Sequence, residues 1–343
     1  MSNTTYNPSE VGIKGTLFGF PYSEEEAELI VLPVPWDVTV SYGSGTSHGP
    51  AAVLDASPQL DTSLYHVAKP WKYRSFMAGA PAGLQEKSLS LRQTAKNIID
   101  RLETGEKPDP NDYQTVNQGC EEMVEIVYQT SRKYLEMGKI CAVLGGDHSS
   151  PLGLMKALSE KGSFGILQID AHMDLRKAYE GFTYSHASIM HNALKLPGVS
   201  TLVQVGIRDF CEEETDFVHS HKNIHVFYED QVREGKMIGE CWADWVHQIL
   251  SFLPRNVYVS FDIDGLDPSL CPNTGTPVPG GLAYSEAVFL LQKLVESGRK
   301  IVGFDLCEVS PGNTEWDANV GARMLYRLCT ATGISQGKLK TGG

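Results

Sequence analysis

The sequence predicts an α/β protein in three layers, α/β/α, with a mainly parallel sheet between two layers of helices. Three observations predict it. Short apolar runs recur along the chain, segments with helical spacing separate several of them, and composition does not change between residues 30 and 330. Strands alternating with amphipathic helices build a parallel sheet covered on both faces. The uniform composition makes 29–330 one domain, with 1–28 as an N-terminal extension and 331–343 as a C-terminal tail.

The first 27 residues are polar and punctuated by Gly and Pro, which reads as an extension or lid rather than core. Leu29 to Val34 is a short apolar run, a buried strand. A Gly-rich stretch from Tyr42 to Pro50 follows, and Pro50 opens a helix in the first-turn position that suits proline. Residues 84–118 read as a polar excursion with one helix, and 121–137 as a helix carrying Met123, Ile126, Val127 and Leu135 at helical spacing. Further strands are expected at 140–144, 164–169, 201–205, 224–227, 257–263 and 300–304. Helices are expected at 151–160, 186–195, 240–253 and 284–298, and a frayed polar tail from Ser335. No internal repeat or low-complexity segment is visible.

Bulk properties narrow the function. The 343 residues are 41% hydrophobic and 21% charged, ordinary values for a globular protein with a core large enough to need no staples. A formal charge of −13 repels phosphate backbones and argues against a nucleic-acid partner. The 7 cysteines are scattered with no CxxC, which suggests reduced thiols in a cytoplasmic protein. The N-terminal stretch lacks the apolar segment of a signal peptide, and no apolar run approaches the ~20 residues of a membrane span.

Three segments carry chemistry, each directly after a predicted strand: Gly145-Gly146-Asp147-His148, Asp170-Ala171-His172-Met173-Asp174 and Asp262-Ile263-Asp264. Open α/β sheets place their sites at the C-terminal ends of strands. On an extended chain Asp170, His172 and Asp174 point to one side, and so do Asp262 and Asp264. With His148 they make six oxygen or imidazole donors. Four carboxylates packed together repel one another. Two divalent cations would balance them, and six ligands are too many for one catalytic zinc. The oxygen-rich set favours Mn²⁺, while the imidazoles admit Ni²⁺, Co²⁺ or Zn²⁺. Taken singly, the motifs have bland explanations: DxD after a strand is often a turn or a Ca²⁺ or Mg²⁺ site, and a lone His is often a cap. The three together, each following an apolar strand, are hard to explain that way.

This combination resembles the ureohydrolase family of arginases and agmatinases. GGDHS, DAHMD and SFDIDGLDPS are similar to its signature segments, and CPNTGTPVPGGL (271–282) and DLCEVSP (305–311) match in order and spacing. The resemblance implies an arginase-like three-layer fold over 29–330, two divalent ions per chain, and assembly into homotrimers or homohexamers. It gives His148 and Asp174 to one ion, His172 and Asp264 to the other, and Asp170 and Asp262 to both. Activated hydroxide would attack a guanidinium carbon, with Asp174 accepting its hydrogen bond. Glu308 matches the glutamate that binds the guanidinium, and His186 the histidine that shuttles a proton. From the residues alone, a His opening a helix is commonly a cap and a Glu after a strand is commonly solvated.

The resemblance is strongest to an agmatinase-like subgroup that includes nickel-dependent guanidine hydrolases, through VPWDVTVSYGSGT (34–46) and DLRKAYEGFTYSHASIM (174–190). Where arginases carry an asparagine two residues past DxHxD, this chain has Arg176, which argues against L-arginine. Trp36, Tyr179, Phe182 or Tyr184 would wall a tight pocket for a small cation. Arg176 would disfavour a long cationic tail or pair with a substrate carboxylate. The expected substrate is guanidine or a small substituted guanidine or biguanide, then agmatine, then formiminoglutamate or guanidino acids. His48 and His191 read as a surface and a structural residue, Asp147 as a residue orienting a ligand, and Cys307 as a small buried side chain. Rival readings are a single-zinc deacetylase of the same architecture and a silent subunit of a hetero-oligomer.

Overall fold

The structure is a computed structural model that describes residues 6–342. Ten strands and ten helices are named here in chain order among those residues. The strands are β1 (Leu29–Val34), β2 (Val67–Ala68), β3 (Ser75–Met77), β4 (Ile140–Gly145), β5 (Phe164–Ile169), β6 (Val199–Ile207), β7 (Ile224–Tyr228), β8 (Asn256–Asp262), β9 (Lys300–Cys307) and β10 (Lys340–Thr341). The helices are α1 (Gly49–Ala56), α2 (Leu84–Glu103), α3 (Pro110–Glu136), α4 (Leu152–Ser159), α5 (Ile189–Ala193), α6 (Glu212–Ser220), α7 (Glu229–Met237), α8 (Trp242–Ser251), α9 (Tyr284–Glu296) and α10 (Trp316–Ser335).

Eight strands form one sheet in the order β3-β1-β4-β9-β8-β5-β6-β7, and every pairing in it is parallel. The expected three-layer arrangement is what the chain adopts. Alternation along each strand feeds two separate cores. Leu29, Val31, Ala142, Leu144, Leu167 and Ile169 join the core under α1, α8, α9 and α10. Ile30, Leu32, Val34, Cys141, Val143 and Ile166 join the core under α2, α3, α4 and α5. Residues two apart share a face, so a strand buried on both sides must be apolar at every position. Each such side chain contributes about 1.5–3 kcal/mol on burial.

Several expectations are corrected. The stretch before residue 28 is not all extension: Leu17, Phe18 and Phe20 are buried in the core. The Phe18 ring lies 4.9 Å from Tyr326 on α10. Its N–H donates to Ser57 Oγ at 2.9 Å. This short apolar cluster is diluted by the polar residues around it, so the sequence conceals its anchoring role. The tail expected from 331 begins inside α10, where Ala331 is buried, and Leu339 is buried beyond it. Lys340 and Thr341 pair antiparallel with β2. Helix α10 itself was not anticipated, because it is buried on most faces and lacks a clear polar stripe. The region 84–118 holds α2 and the start of α3, which opens at Pro110 with the Asp109 carboxylate accepting from Asn111 N–H at 2.9 Å. Short helices α6 and α7 also escaped the sequence reading.

Candidate metal centre

Because all the strands of the sheet run one way, their C-terminal ends lie along one edge. Strands β4, β9, β8 and β5 are consecutive neighbours, so the segments that follow them meet. The tips are stitched together by backbone bonds. Gly146 N–H donates to Val34 C=O (2.8 Å), Asp147 N–H to Trp36 C=O (2.7 Å), and Glu308 N–H to Gly146 C=O (2.7 Å). Gly146 is required there, since a Cβ would stand 2.0 Å from the Trp36 carbonyl oxygen.

The six expected donors converge, all but His172 buried below a tenth of their surface. His148 Nδ1 lies 3.0 Å from Asp170 Oδ2, 3.0 Å from Asp174 Oδ2 and 3.3 Å from Asp262 Oδ2. His172 Nδ1 lies 3.1 Å from Asp264 Oδ2 and 3.6 Å from Asp170 Oδ1. The two oxygens of Asp170 therefore face different histidines. Two ligand groups result, His148–Asp170–Asp262 and Asp170–His172–Asp264, with Asp170 in both. Separations near 3 Å match adjacent ligands on one ion with bonds of ~2.1 Å.

The surroundings fix these orientations. His148 Nε2 meets Ser260 Oγ at 2.9 Å, and Ser260 Oγ donates to Asp305 Oδ2 at 2.9 Å. A proton on Nε2 leaves the Nδ1 lone pair facing the carboxylates, where it has no hydrogen-bond partner. Gln168 Nε2 donates to Asp170 Oδ2 (2.8 Å), and Gln204 Nε2 donates to Gln168 Oε1 (2.5 Å). Asp264 Oδ1 accepts from Ala171 N–H at 3.0 Å. None of Ser260, Asp305, Gln168 or Gln204 was singled out from the sequence. The available signal was period 2: Gln168 precedes Asp170, and Ser260 precedes Asp262, by two residues.

Charge crowding is visible in the acidities. Burial and then Asp170 push Asp174 up to about 7. Burial, Asp264 and Asp170 push Asp262 well up. Burial opposes a charged His148, yet Asp170, Asp174 and Asp305 raise it well above its ordinary value. Burial likewise opposes a charged His172, which Asp264 and Asp170 raise well above the ordinary range. A buried set of four carboxylates and two imidazoles is short of positive charge, and two divalent cations fit both its charge and its donor chemistry. Asp174 also sits at φ 56°, a left-handed conformation uncommon for a side-chain-bearing residue. Its carbonyl accepts from the N–H groups of Met190 and His191, which locks the turn.

Glu308 follows β9 at φ 63°. Its Oε1 accepts from His148 N–H at 2.9 Å, while its buried Oε2 has no partner. Burial and then Asp147 push its pKa well above the ordinary carboxylate range. A cavity of about 130 Å³ adjoins the centre, bordered by His172, Asp174, Arg176, Tyr179, His186 and Tyr42 among others. His186 Nδ1 lies 3.3 Å from Ser185 Oγ. Burial, then the His172 and His148 charges, push its imidazole down to about 3, so it is neutral at pH 7. The Arg176 guanidinium lies over the Tyr179 ring at 4.8 Å, with Nε 3.9 Å from Glu214 Oε2.

Other candidates are placed elsewhere. Trp36, expected as a wall, is fully buried in the core under α2 and α3 and does not border the cavity. Tyr184 packs against that same core, with Glu121 and Lys156 as its charged neighbours, and is also no part of the wall. Phe182 is buried 6.1 Å from Tyr113. Asp147 Oδ1 accepts from Ser149 N–H at 2.9 Å, so it holds the turn rather than a ligand ring. His48 is exposed, His191 packs 5.1 Å from Phe217, and Cys307 is buried.

Known proteins share this chain's family and fold. A family model described as the arginase family matches residues 27–330. An N(1)-aminopropylagmatine ureohydrolase of Thermus thermophilus is 32% identical over 325 residues, covering 93% of this chain and 94% of that protein. A protein of the same name from Synechocystis is 30% identical over 322 residues, covering 92% of each. The solved structure of proclavaminate amidino hydrolase from Streptomyces clavuligerus shares the fold with a TM-score of 0.73, covering 95% of this chain and 99% of that one at 21% identity. With nearly the whole chain matched, this protein belongs to the arginase family of ureohydrolases.

Proposed function

We propose that this ureohydrolase cuts the C–N bond of guanidine or a small substituted guanidine or biguanide, releasing urea and the departing nitrogen compound (ammonia from guanidine, an amine from a substituted guanidine, a guanidine from a biguanide). The observation that carries the reading is the small cavity with Arg176 standing on Tyr179 in its wall. A cation fixed there repels the tail of a long cationic substrate and leaves room for a compact one. A second reading, agmatine or an aminopropyl-substituted agmatine, is supported by the names of the two bacterial relatives. The Asp209 and Glu214 carboxylates in the same wall could receive an ammonium.

His148 and Asp174 would hold one ion, His172 and Asp264 the other, with Asp170 and Asp262 between them. Bound there as Mn²⁺ or Ni²⁺, the pair would supply Lewis acidity and a water acidic enough to react near neutral pH. The chain's own groups do the rest. Glu308 Oε2, buried and without a partner, accepts the planar guanidinium and sets its angle of approach. Asp174 accepts a hydrogen bond from the attacking water. His186, in the cavity wall, takes a proton from the attacking water and passes it to the departing nitrogen as the C–N bond breaks. The oxygen of water becomes the carbonyl oxygen of urea.

The reading extends to a cytoplasmic homotrimer or homohexamer. Urea release from guanidine, biguanides, agmatine, aminopropylagmatine and arginine, measured with Mn²⁺ and with Ni²⁺ loading, tests it. Faster turnover of agmatine or aminopropylagmatine than of every compact substrate would move the assignment to the second reading. No urea from a chain holding both ions would favour a silent subunit of a hetero-oligomer.

A further inference from the structure

Arg208 follows directly on β6, outside the substrate cavity and outside the set of metal donors. Its half-buried guanidinium spends its donors on backbone carbonyls. Nη2 donates to Asp264 C=O (2.6 Å), Val278 C=O (3.0 Å) and Leu266 C=O (3.3 Å), Nη1 to Gly206 C=O (3.0 Å), and Nε to Val278 C=O (3.2 Å). Its main-chain N–H donates to Ala171 C=O at 2.8 Å, between the ligands Asp170 and His172. Ala171 N–H in turn donates to Asp264 Oδ1 at 3.0 Å. One residue thus ties together the tip of β5, the tip of β8 and the 278–282 loop.

The fold makes room for this fork. Gly280 and Gly281 both have left-handed φ, 99° and 97°. A Cβ at Gly281 would stand 2.6 Å from Leu266 O and 3.0 Å from Arg208 Nη2. The contacts are also one-sided. Arg208 bonds Asp264 itself and the peptide between Asp170 and His172, all three in one ligand group, and it makes no bond to His148 or Asp174 themselves.

We propose that Arg208 is the positioning residue of the ion held by Asp170, His172 and Asp264, fixing the backbone that carries Asp264 and joins Asp170 to His172. The inference rests on the two-ion reading above. A planar guanidinium reaches several carbonyls at once, which a lysine ammonium on a flexible stem does not. Keeping the charge is therefore not enough.

Purified wild type, Arg208→Lys and Arg208→Met, each loaded with Mn²⁺ and dialysed against a weak chelator, test the proposal by metal content and by Mn²⁺ titration. Wild type is expected to keep both ions. Both variants should keep one and bind the other about 10–100-fold more weakly, as removal of a ligand's support does. Their kcat should recover as Mn²⁺ is raised, with KM little changed, because Arg208 does not border the cavity. A purely structural role would lower melting temperature without splitting the two ions. Either folded variant holding both ions as tightly as wild type overturns the proposal, and if Arg208→Met does not fold, Arg208→Lys decides. A wild-type chain that binds no Mn²⁺ would overturn the two-ion reading, and this inference with it.

Discussion

Asp170 has one oxygen toward His148 and the other toward His172, and the centre is organised around that division. The residues bordering it differ in what they hold. Glu308→Gln keeps an acceptor for His148 N–H but loses the carboxylate that, on the proposed reading, pairs with the guanidinium. We expect kcat/KM to fall about 10–100-fold, the size of a lost charge-assisted bond, with metal content by elemental analysis unchanged. His186 touches no ligand atom in the described contacts, so His186→Ala should also keep its metal. Its kcat should fall by roughly 10²–10⁴, the usual contribution of a general acid–base group; equal turnover in the two proteins would remove His186 from the proton path.

The same residues set a pH dependence. With carboxylates around them, His148 and His172 hold protons well above the ordinary histidine range. A metal ion needs the neutral imidazole, so binding displaces protons and affinity must fall as pH falls. Dialysis at pH 8 should leave more bound metal than dialysis at pH 6, and proton release should accompany loading. Metal retention independent of pH over that interval would show that other groups hold the ions.

At the level of elements, the site depends on how closely strand tips approach. Gly146 lies between β4 and the chain leaving β1, with its Cβ direction blocked by the Trp36 carbonyl at 2.0 Å. Gly146→Ala should cost about 1–3 kcal/mol or more in chemical denaturation, as overpacking does, and should weaken metal binding by displacing His148. A variant as stable as wild type would mean that the β1–β4 junction relaxes freely. Strand patterning was legible in the sequence because strands buried on both faces read as continuous apolar runs. The ligand motifs were legible because period 2 puts Asp170, His172 and Asp174 on one side. Trp36 and Tyr184 were misassigned because an aromatic near a site looks the same in sequence whether it faces the cavity or the core. Arg208 was invisible for another reason: it works on carbonyls, which every residue has.

For the molecule as a whole, residues 17–20 are part of the core. Phe18 is 1% exposed and packs on Tyr326 of α10, which joins the segment before β1 to the helix after β9. Phe18→Ala should cost about 3–5 kcal/mol, as for other buried phenylalanines. An unchanged unfolding midpoint would restore the reading of residues 1–28 as a detached extension.

By itself the sequence determined the layered α/β class, the six donors and the need for two cations, because hydrophobic period and local charge are properties of neighbours along the chain. Only the tertiary structure decided which aromatics face the cavity, that Glu308 keeps one oxygen without a partner, and that Arg208 donates to the carbonyls of Asp264, Leu266 and Val278. Those facts depend on strand order, β4-β9-β8-β5, which brings together residues more than a hundred positions apart. Local patterning carries no record of such distances; packing sets them.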